Sequence, residues 1–68
     1  MNEHMEVHVE KLRTLRIDHG YSKKALSRAA GLTDSHVYQI ERRGRANPDT
    51  LKKIADVLGV RASELLSK

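Results

Sequence analysis

The chain has 68 residues, of which 38% are hydrophobic and 3% aromatic. A chain of this length folds as one small domain whose core is too small to surround a large active-site cavity, which argues against an enzyme. Thirteen Lys and Arg residues against nine Asp and Glu give a formal net charge of +4, which favours a polyanionic partner.

The first predicted helix follows a short polar N-terminal segment. Residues 1–6 are mixed in charge and offer no helix cap, so we expect a flexible lead-in, with the folded domain covering residues 7–68. Residues 7–19 have the helical period, with Arg16 at the margin of the apolar face. That face is formed by Val9, Leu12 and Leu15. Gly20 is expected to end this helix.

A second, shorter helix is predicted between Ser22 and Ala30. Ser22 is placed to cap the first free N–H groups, and the residues that follow are good helix formers. The apolar face consists of Leu26, Ala29 and Ala30. Gly31 can adopt the left-handed conformation that ends one helix and turns the chain into another. The pattern therefore predicts a helix-turn-helix centred on Gly31.

The third helix is predicted to begin at Thr33, a good N-cap, with Asp34 in the first turn where a negative charge favours the helix dipole. Val37 and Ile40 are three positions apart and mark the buried side. At 100° per residue, the opposite side carries Ser35, Tyr38, Gln39 and Arg42. This polar face is the candidate surface for reading a partner.

Residues 43–48 have the composition of a loop, with Asn47 as a cap and Pro48 at the first position of a fourth helix. The apolar positions of that helix are Leu51, Ile54, Ala55 and Leu58. Gly59 is expected to end it, and residues 60–67 predict a last short helix with a poor N-cap. We find no strand alternation, so the predicted fold is all-α, a compact bundle of four to five short helices.

These elements carry a resemblance to a known family over about residues 7–66. The matching positions are Leu12-Arg13-Thr14-Leu15-Arg16, Gly20-Tyr21-Ser22-Lys23, Leu26-Ser27, Ala30-Gly31-Leu32-Thr33, Ile40-Glu41, Asn47-Pro48 and residues 51–60. The chain resembles the Cro and phage-repressor type of helix-turn-helix domain, also called the XRE family. The resemblance implies a lambda-repressor-like fold and sequence-specific binding of double-stranded DNA. It also implies a transcriptional regulator, most often a repressor, acting as a homodimer on a two-fold operator.

Three positions depart from the family pattern. Lys23 stands where the first residue of the second helix is often Gln, and Ser27 replaces the usual Ala where the two helices cross. Arg43 stands where the family often has Gly just after the third helix, and Gly44 follows one place later. The sequence pattern therefore does not determine the path of the loop that carries Arg43 and Arg45.

The base-reading candidates lie on the predicted helix of residues 34–42, which would enter the major groove. Gln39 can bond adenine N6 and N7 together, and its match to the family's base-reading position supports this role. Ser35 can contact a base edge or a phosphate, and Asp34 can accept from cytosine N4 or act only as a first-turn charge. Tyr38 can contact a thymine methyl group or a phosphate, with half-buried packing as the alternative.

Phosphate contacts are expected on both sides of that helix, because such contacts position a domain before any base is read. Lys23 and Lys24 begin a helix whose free N–H groups also attract anions. The arginines beyond the reading helix form the second group. The remaining candidates for the DNA-binding set are Ser22, Thr33, Arg42, Arg43 and Arg45.

Arg16 and Glu41 have a different expected role. In the family that the chain resembles, the matching Arg and Glu pair between the first helix and the end of the third, which fixes the reading helix against the bundle. The resemblance therefore implies a structural ion pair, with a phosphate contact for Arg16 as the alternative.

Other classes of function find less support. His4 and His8 are four apart, but the residues between them do not complete the H-E-x-x-H metal pattern. We expect no metal site, no cofactor and no catalysis. The chain has no Cys, which fits a reducing cytoplasm, and no apolar run long enough to span a membrane. The serious alternative is a small protein-interaction module, such as an antitoxin or a partner-docking domain.

Overall fold

The structure is a computed structural model that describes residues 4–67. Within this range the chain forms four α-helices, one 3-10 helix and a sheet of two short strands. The helices are α1 (Val9–Asp18), α2 (Lys23–Ala29), α3 (His36–Arg43) and α4 (Pro48–Leu58), followed by the 3-10 helix (Ala62–Leu65). The strands are β1 (Met5–Glu6) and β2 (Arg45–Ala46). The prediction of a compact helical bundle with a central helix-turn-helix is confirmed, with the small sheet as an addition.

One apolar core holds the helices together. The predicted apolar positions of α4 are all buried, and the core also includes Leu12, Leu26, Val37, Ile40 and Leu65, with Val7, Ala30 and Ala46 at its edge. The predicted apolar face of α2 was wrong at Ala29, which is exposed. Because α2 packs against both α3 and α4, its buried face runs through Leu26, Ser27 and Ala30 instead. The buried side of α2 therefore includes a hydroxyl group.

The N-terminal segment takes part in the fold. Met5 and Glu6 form β1, which pairs antiparallel with β2 in the register Met5 to Ala46 and Glu6 to Arg45. These two residues, which the sequence placed in a flexible lead-in, are therefore paired in a strand. Strands of two residues are too short to show an alternating pattern, so the sequence carried no signal for them. Residues 1–3 of the predicted lead-in lie outside the described residues.

The residues that follow β1 connect it to the C-terminal part of the domain. The Val7 N–H donates to the Gly44 carbonyl at 2.9 Å, and Val7 forms an isolated antiparallel bridge with Leu66. The His8 N–H donates to the Leu65 carbonyl at 2.7 Å. Because His8 also caps α1, through its Nδ1 accepting from the Lys11 N–H at 3.2 Å, that helix begins two residues later than predicted.

The helix-turn-helix consists of α2, a turn and α3. Ser22 caps α2 as predicted, with its Oγ accepting from the Ala25 N–H at 3.0 Å. Gly31 has a φ of +74°, the left-handed conformation that the turn requires. The predicted cap at Thr33 was wrong, because α3 begins at His36 after a further turn in which the His36 N–H donates to the Thr33 carbonyl at 3.0 Å. Asp34 therefore precedes α3.

Two glycines and an asparagine fix the second half of the chain. Gly44, at a φ of +75°, is the left-handed C-cap of α3 and donates its N–H to Ile40. Asn47 caps α4 as predicted, and Gly59 ends that helix. The last predicted helix is shorter than expected and is a single 3-10 segment, in which Leu65 is fully buried.

Candidate nucleic-acid interface

The outer face of α3 is polar and exposed, while its inner face is part of the core. Val37, Ile40 and Glu41 are buried. The four outward residues are exposed, as their spacing predicted: Ser35, Tyr38, Gln39 and Arg42. Two weak contacts run along this face, from Gln39 Nε2 to Ser35 Oγ at 3.3 Å and from Arg42 Nη1 to Tyr38 Oη at 3.4 Å. Because these contacts are long and exposed, the side chains remain available to a partner.

The start of α2 lies beside this face. The Lys23 ammonium lies 5.4 Å from the centroid of the Tyr38 ring, a cation–π distance. Lys24 follows it and is exposed. The Ser22 hydroxyl is already engaged as the cap of α2, so it can offer a partner only its remaining hydrogen-bonding capacity. The structure therefore brings Lys23 and Tyr38 together, which the sequence did not predict.

Three arginines lie at the other end of α3. Arg42 and Arg43 occupy its last turn, and Arg45 lies in β2; all three are exposed. The question of the loop path is answered by Gly44, which takes the left-handed position one residue later than in the family pattern and leaves Arg43 inside the helix. The hydrogen-bonded ribbon of β1 and β2 then holds Arg45 close to the end of α3.

Asp34 lies in the turn before α3 and forms an ion pair with Arg28 of α2. Arg28 Nε donates to Oδ1 at 2.9 Å and Nη2 donates to Oδ2 at 3.1 Å, a two-pronged contact between exposed side chains. The hydrogen bonds from Arg28 hold the pKa of the Asp34 carboxyl below its usual value. The Asp34 carboxylate is thus engaged within the protein, whereas Thr33 beside it is exposed.

Below α3, Arg16 and Glu41 lie together in the protein interior. Arg16 Nε donates to Glu41 Oε2 at 2.9 Å and Nη2 donates to Oε1 at 3.5 Å. Arg16 Nη1 also donates to the Tyr21 carbonyl at 3.0 Å, which ties the loop between α1 and α2 to the same pair. Arg13 Nε lies 3.6 Å from Glu41 Oε1. These contacts connect α1 to the last turns of α3.

Sequence reasoning did not identify Arg28, Arg13 or the hydroxyl of Ser27 as parts of the site. Ser27 Oγ accepts from the Val37 N–H at 2.9 Å, so α2 contacts the first turn of α3 directly. Arg13 lies one turn before Arg16 on α1, and this spacing was the available signal for a second cation near Glu41.

Within the described residues, no group of His, Asp and Glu converges in a way that could hold a metal ion.

The similarity of the chain to known proteins agrees with this geometry. A family model described as helix-turn-helix matches residues 12–65. The chain belongs to the XRE-type helix-turn-helix family. At the family level it is a DNA-binding regulator of transcription, and the family is not one of enzymes.

A solved structure supports the same assignment. The chain is similar to a chain in the complex of the SinR protein with the SinI protein, with a TM-score of 0.74 and 32% sequence identity. The match covers 88% of this chain and 60% of that one, so the domain spans less than two thirds of its structural relative. No curated protein matches the chain. In the part of the chain that the structure describes, no helix is both long enough and apolar enough to cross a membrane.

Proposed function

We propose that this protein is a sequence-specific transcriptional repressor that places α3 in the major groove of double-stranded DNA. The observation that carries the proposal is the position of the outward face of α3. Its exposed polar residues lie between the lysines that begin α2 and the three arginines at and just beyond the C-terminal end of α3. A major groove about 12 Å wide accepts one helix of this kind, with cations on both sides for the phosphates.

Reading of bases is assigned to the middle of this face. Gln39 is exposed, and the only hydrogen bond of its side chain in the described residues is the long contact to Ser35. Its carboxamide is therefore free to bond adenine N6 and N7 together. Ser35 and Tyr38 flank Gln39 and supply a hydroxyl group and an aromatic ring for neighbouring base edges or phosphates. We assign no base contact to Asp34, because its carboxylate already accepts a hydrogen bond from Arg28.

Contacts with the phosphates of the DNA backbone are assigned to two groups of residues. The first group lies at the start of α2 and in the turn before α3, and consists of Ser22, Lys23, Lys24 and Thr33. The second group consists of Arg42, Arg43 and Arg45. Both groups are exposed or half-buried, so their ammonium and guanidinium groups can reach a phosphate without unfolding any element.

We also propose that the protein binds as a weak homodimer, through the 3-10 helix and the loop before it. In a two-fold complex the half-sites lie about 34 Å apart, one turn of DNA. Sedimentation at increasing concentration, combined with footprinting, tests this assembly. A single protomer protecting an asymmetric site, with no concentration-dependent cooperativity, would exclude it.

The experiment that tests the function is selection of bound duplexes from a random pool, followed by a salt series on the selected site. We expect one short motif to be enriched and its affinity to fall steeply as salt is raised, because counterions are released when phosphates are neutralised. If no motif is enriched, sequence-specific reading is wrong.

A protein-interaction module is the competing function, and the same binding experiment separates the two. The large exposed hydrophobic residues of the described chain are Met5, Ile17 and Tyr38, which lie on three different elements. Partner proteins usually dock on a contiguous patch with aromatic anchors. Capture of a protein partner that persists at high salt, with no binding to any duplex, would favour the module.

A further inference from the structure

A small cavity lies along one flank of α3, where the helix meets the ribbon of β1 and β2. Its volume is about 70 Å³, enough for several water molecules or one phosphate group. Its charged or titratable lining consists of His4, His36, Arg43 and Arg45. Gln39 and Asn47 add amide groups, and the buried side chains of the neighbouring core close its apolar side.

The cavity follows the helical repeat of α3. His36, Gln39 and Arg43 are separated by three and four positions, so they lie on one stripe of the helix. Gln39 belongs both to this stripe and to the outward face that we assign to base reading. The cavity therefore opens beside the reading face rather than on a distant part of the domain.

The docking geometry brings a sugar–phosphate strand to this flank. An α-helix with its side chains is about 10–12 Å across, close to the width of the major groove, so the flanks of an inserted helix face the phosphates that border the groove. On this flank the ribbon stands beside the helix, with His4 just before β1 and Arg45 in β2.

The charges around the cavity favour an anion. The elements that surround it also carry acidic residues, but none of these lines the cavity. Glu6 of β1 accepts from Ser67 Oγ at 3.4 Å, and Glu41 of α3 is buried against Arg16. Asp49, in the first turn of α4, lies outside the lining. The cavity thus combines two guanidinium groups and two imidazoles with no carboxylate.

We propose that this cavity binds one phosphate of the DNA backbone, with His4 and His36 as contact residues in addition to Arg43 and Arg45. The proposal rests on the function proposed above and extends its phosphate contacts to two histidines and to the N-terminal segment. Imidazole side chains gain a proton as the pH falls from 8 to 5, whereas guanidinium groups stay charged. The phosphate contact is therefore stronger in mildly acidic solution than in mildly basic solution.

The test is DNA affinity measured by fluorescence anisotropy on the selected duplex, in a salt series at pH 6 and at pH 8. For the wild-type protein we expect a steeper plot of log affinity against log salt at pH 6, by up to about one unit for each bound protomer. At 0.1 M salt this corresponds to up to about eightfold tighter binding per protomer. The variant His4→Gln/His36→Gln should lose this difference between the two pH values.

Two controls isolate the cavity. His8 and His19 remain in the double variant, so any effect of their protonation is the same in both proteins. His19→Gln changes an exposed residue at the end of α1, outside the cavity, and should keep the wild-type response to pH. Thermal unfolding shows whether the half-buried position of His36 tolerates Gln; if it does not, His4→Gln alone should remove part of the response.

A second measurement locates the phosphate. Duplexes carrying one neutral methylphosphonate at successive positions should include one position per half-site that weakens the wild-type protein more than the double variant, in which Arg43 and Arg45 still contact the phosphate. If the double variant keeps the full pH response, or if no such position exists, the cavity is not a phosphate site. Failure of the proposed function looks different, because then the wild-type protein binds no duplex selectively at either pH.

Discussion

The Ser27 hydroxyl oxygen accepts a hydrogen bond from the backbone N–H of Val37 at 2.9 Å, and the same hydroxyl donates to the Lys23 carbonyl at 2.8 Å. Val37 is the second residue of α3, and its N–H is one of the groups that a helix start leaves without an internal partner. The residue at the N-cap, Ser35, makes no side-chain cap bond. The first turn of α3 is therefore capped by a side chain from α2.

Ser27→Ala is expected to destabilise the domain by about 1–2 kcal/mol, because the substitution leaves the buried Val37 N–H without an acceptor. Ser35→Ala is the matched control and should change stability much less, since Ser35 makes no cap bond. Urea unfolding followed by circular dichroism measures both. Equal effects of the two substitutions would show that Ser27 does not act as the cap of α3.

Glu41→Ala is expected to cost about 3–5 kcal/mol, because it leaves the buried Arg16 guanidinium without its carboxylate. Arg16→Ala should cost less, because Arg13 lies 3.6 Å from Glu41 and can still compensate the carboxylate. Both variants should bind all duplexes more weakly by similar factors, since α3 loses its support rather than a contact. Thermal unfolding and duplex binding measure the two effects.

The double variant Arg16→Met/Glu41→Leu provides the control for this pair. It removes both charges together, so it should be more stable than Glu41→Ala even though it changes two residues. Wild-type stability in both single alanine variants would contradict the structural role of the pair.

Gln39→Ala is expected to cost about 1–3 kcal/mol on the selected site and much less on scrambled DNA, because the lost contact is to a base. Arg45→Ala should weaken both DNAs similarly and make the plot of log affinity against log salt shallower by about one unit. Binding curves on both DNAs across a salt series measure both variants. The two roles are wrongly assigned if Gln39→Ala weakens both DNAs equally or Arg45→Ala alters base preference.

The contribution of the Arg28–Asp34 ion pair to folding stability should depend on pH. Since the folded-state pKa of Asp34 lies below its usual value, the pair contributes to stability above the usual carboxyl pKa, near 4. This contribution is lost as the pH falls through the lower folded-state pKa. NMR titration of the Asp34 carboxyl should show a higher midpoint in Arg28→Gln than in the wild-type protein. Lys52→Gln, which removes the partner of Asp56 on α4, should leave the Asp34 midpoint unchanged.

Much of the fold was predictable because its signals are local. The spacing of Leu51, Ile54, Ala55 and Leu58 specifies the buried face of α4, and Asn47 specifies where that helix begins. Each of these signals depends on residues within one or two helical turns. The exposure of the polar face of α3 follows from the same kind of local pattern.

The parts that sequence reasoning missed depend on distant contacts. Thr33 has the chemistry of an N-cap, but the first turn of α3 is capped from α2 instead, so the helix begins at His36, two residues later than the predicted start at Asp34. Asp34 has the position of a first-turn charge, but its carboxylate pairs with Arg28 on the preceding helix. No pattern in a single segment distinguishes these outcomes, because the deciding partner lies on another element.

The contacts between the N-terminal segment and the C-terminal residues determine the order in which the domain can be completed during synthesis. Glu6 and Ser67 are 61 positions apart, and the Ser67 N–H donates to the Glu6 carbonyl at 3.2 Å. Contacts between α2 and α3 join near neighbours, so this pair can form while the ribosome is still adding residues. The N-terminal segment can pair with β2 at that stage, but its hydrogen bonds to residues 65 and 67 must wait for the C-terminal residues to leave the exit tunnel. A nascent chain of which only residues 1–64 have left the tunnel would therefore hold a formed helix-turn-helix, while Val7 would still lack its bridge to Leu66.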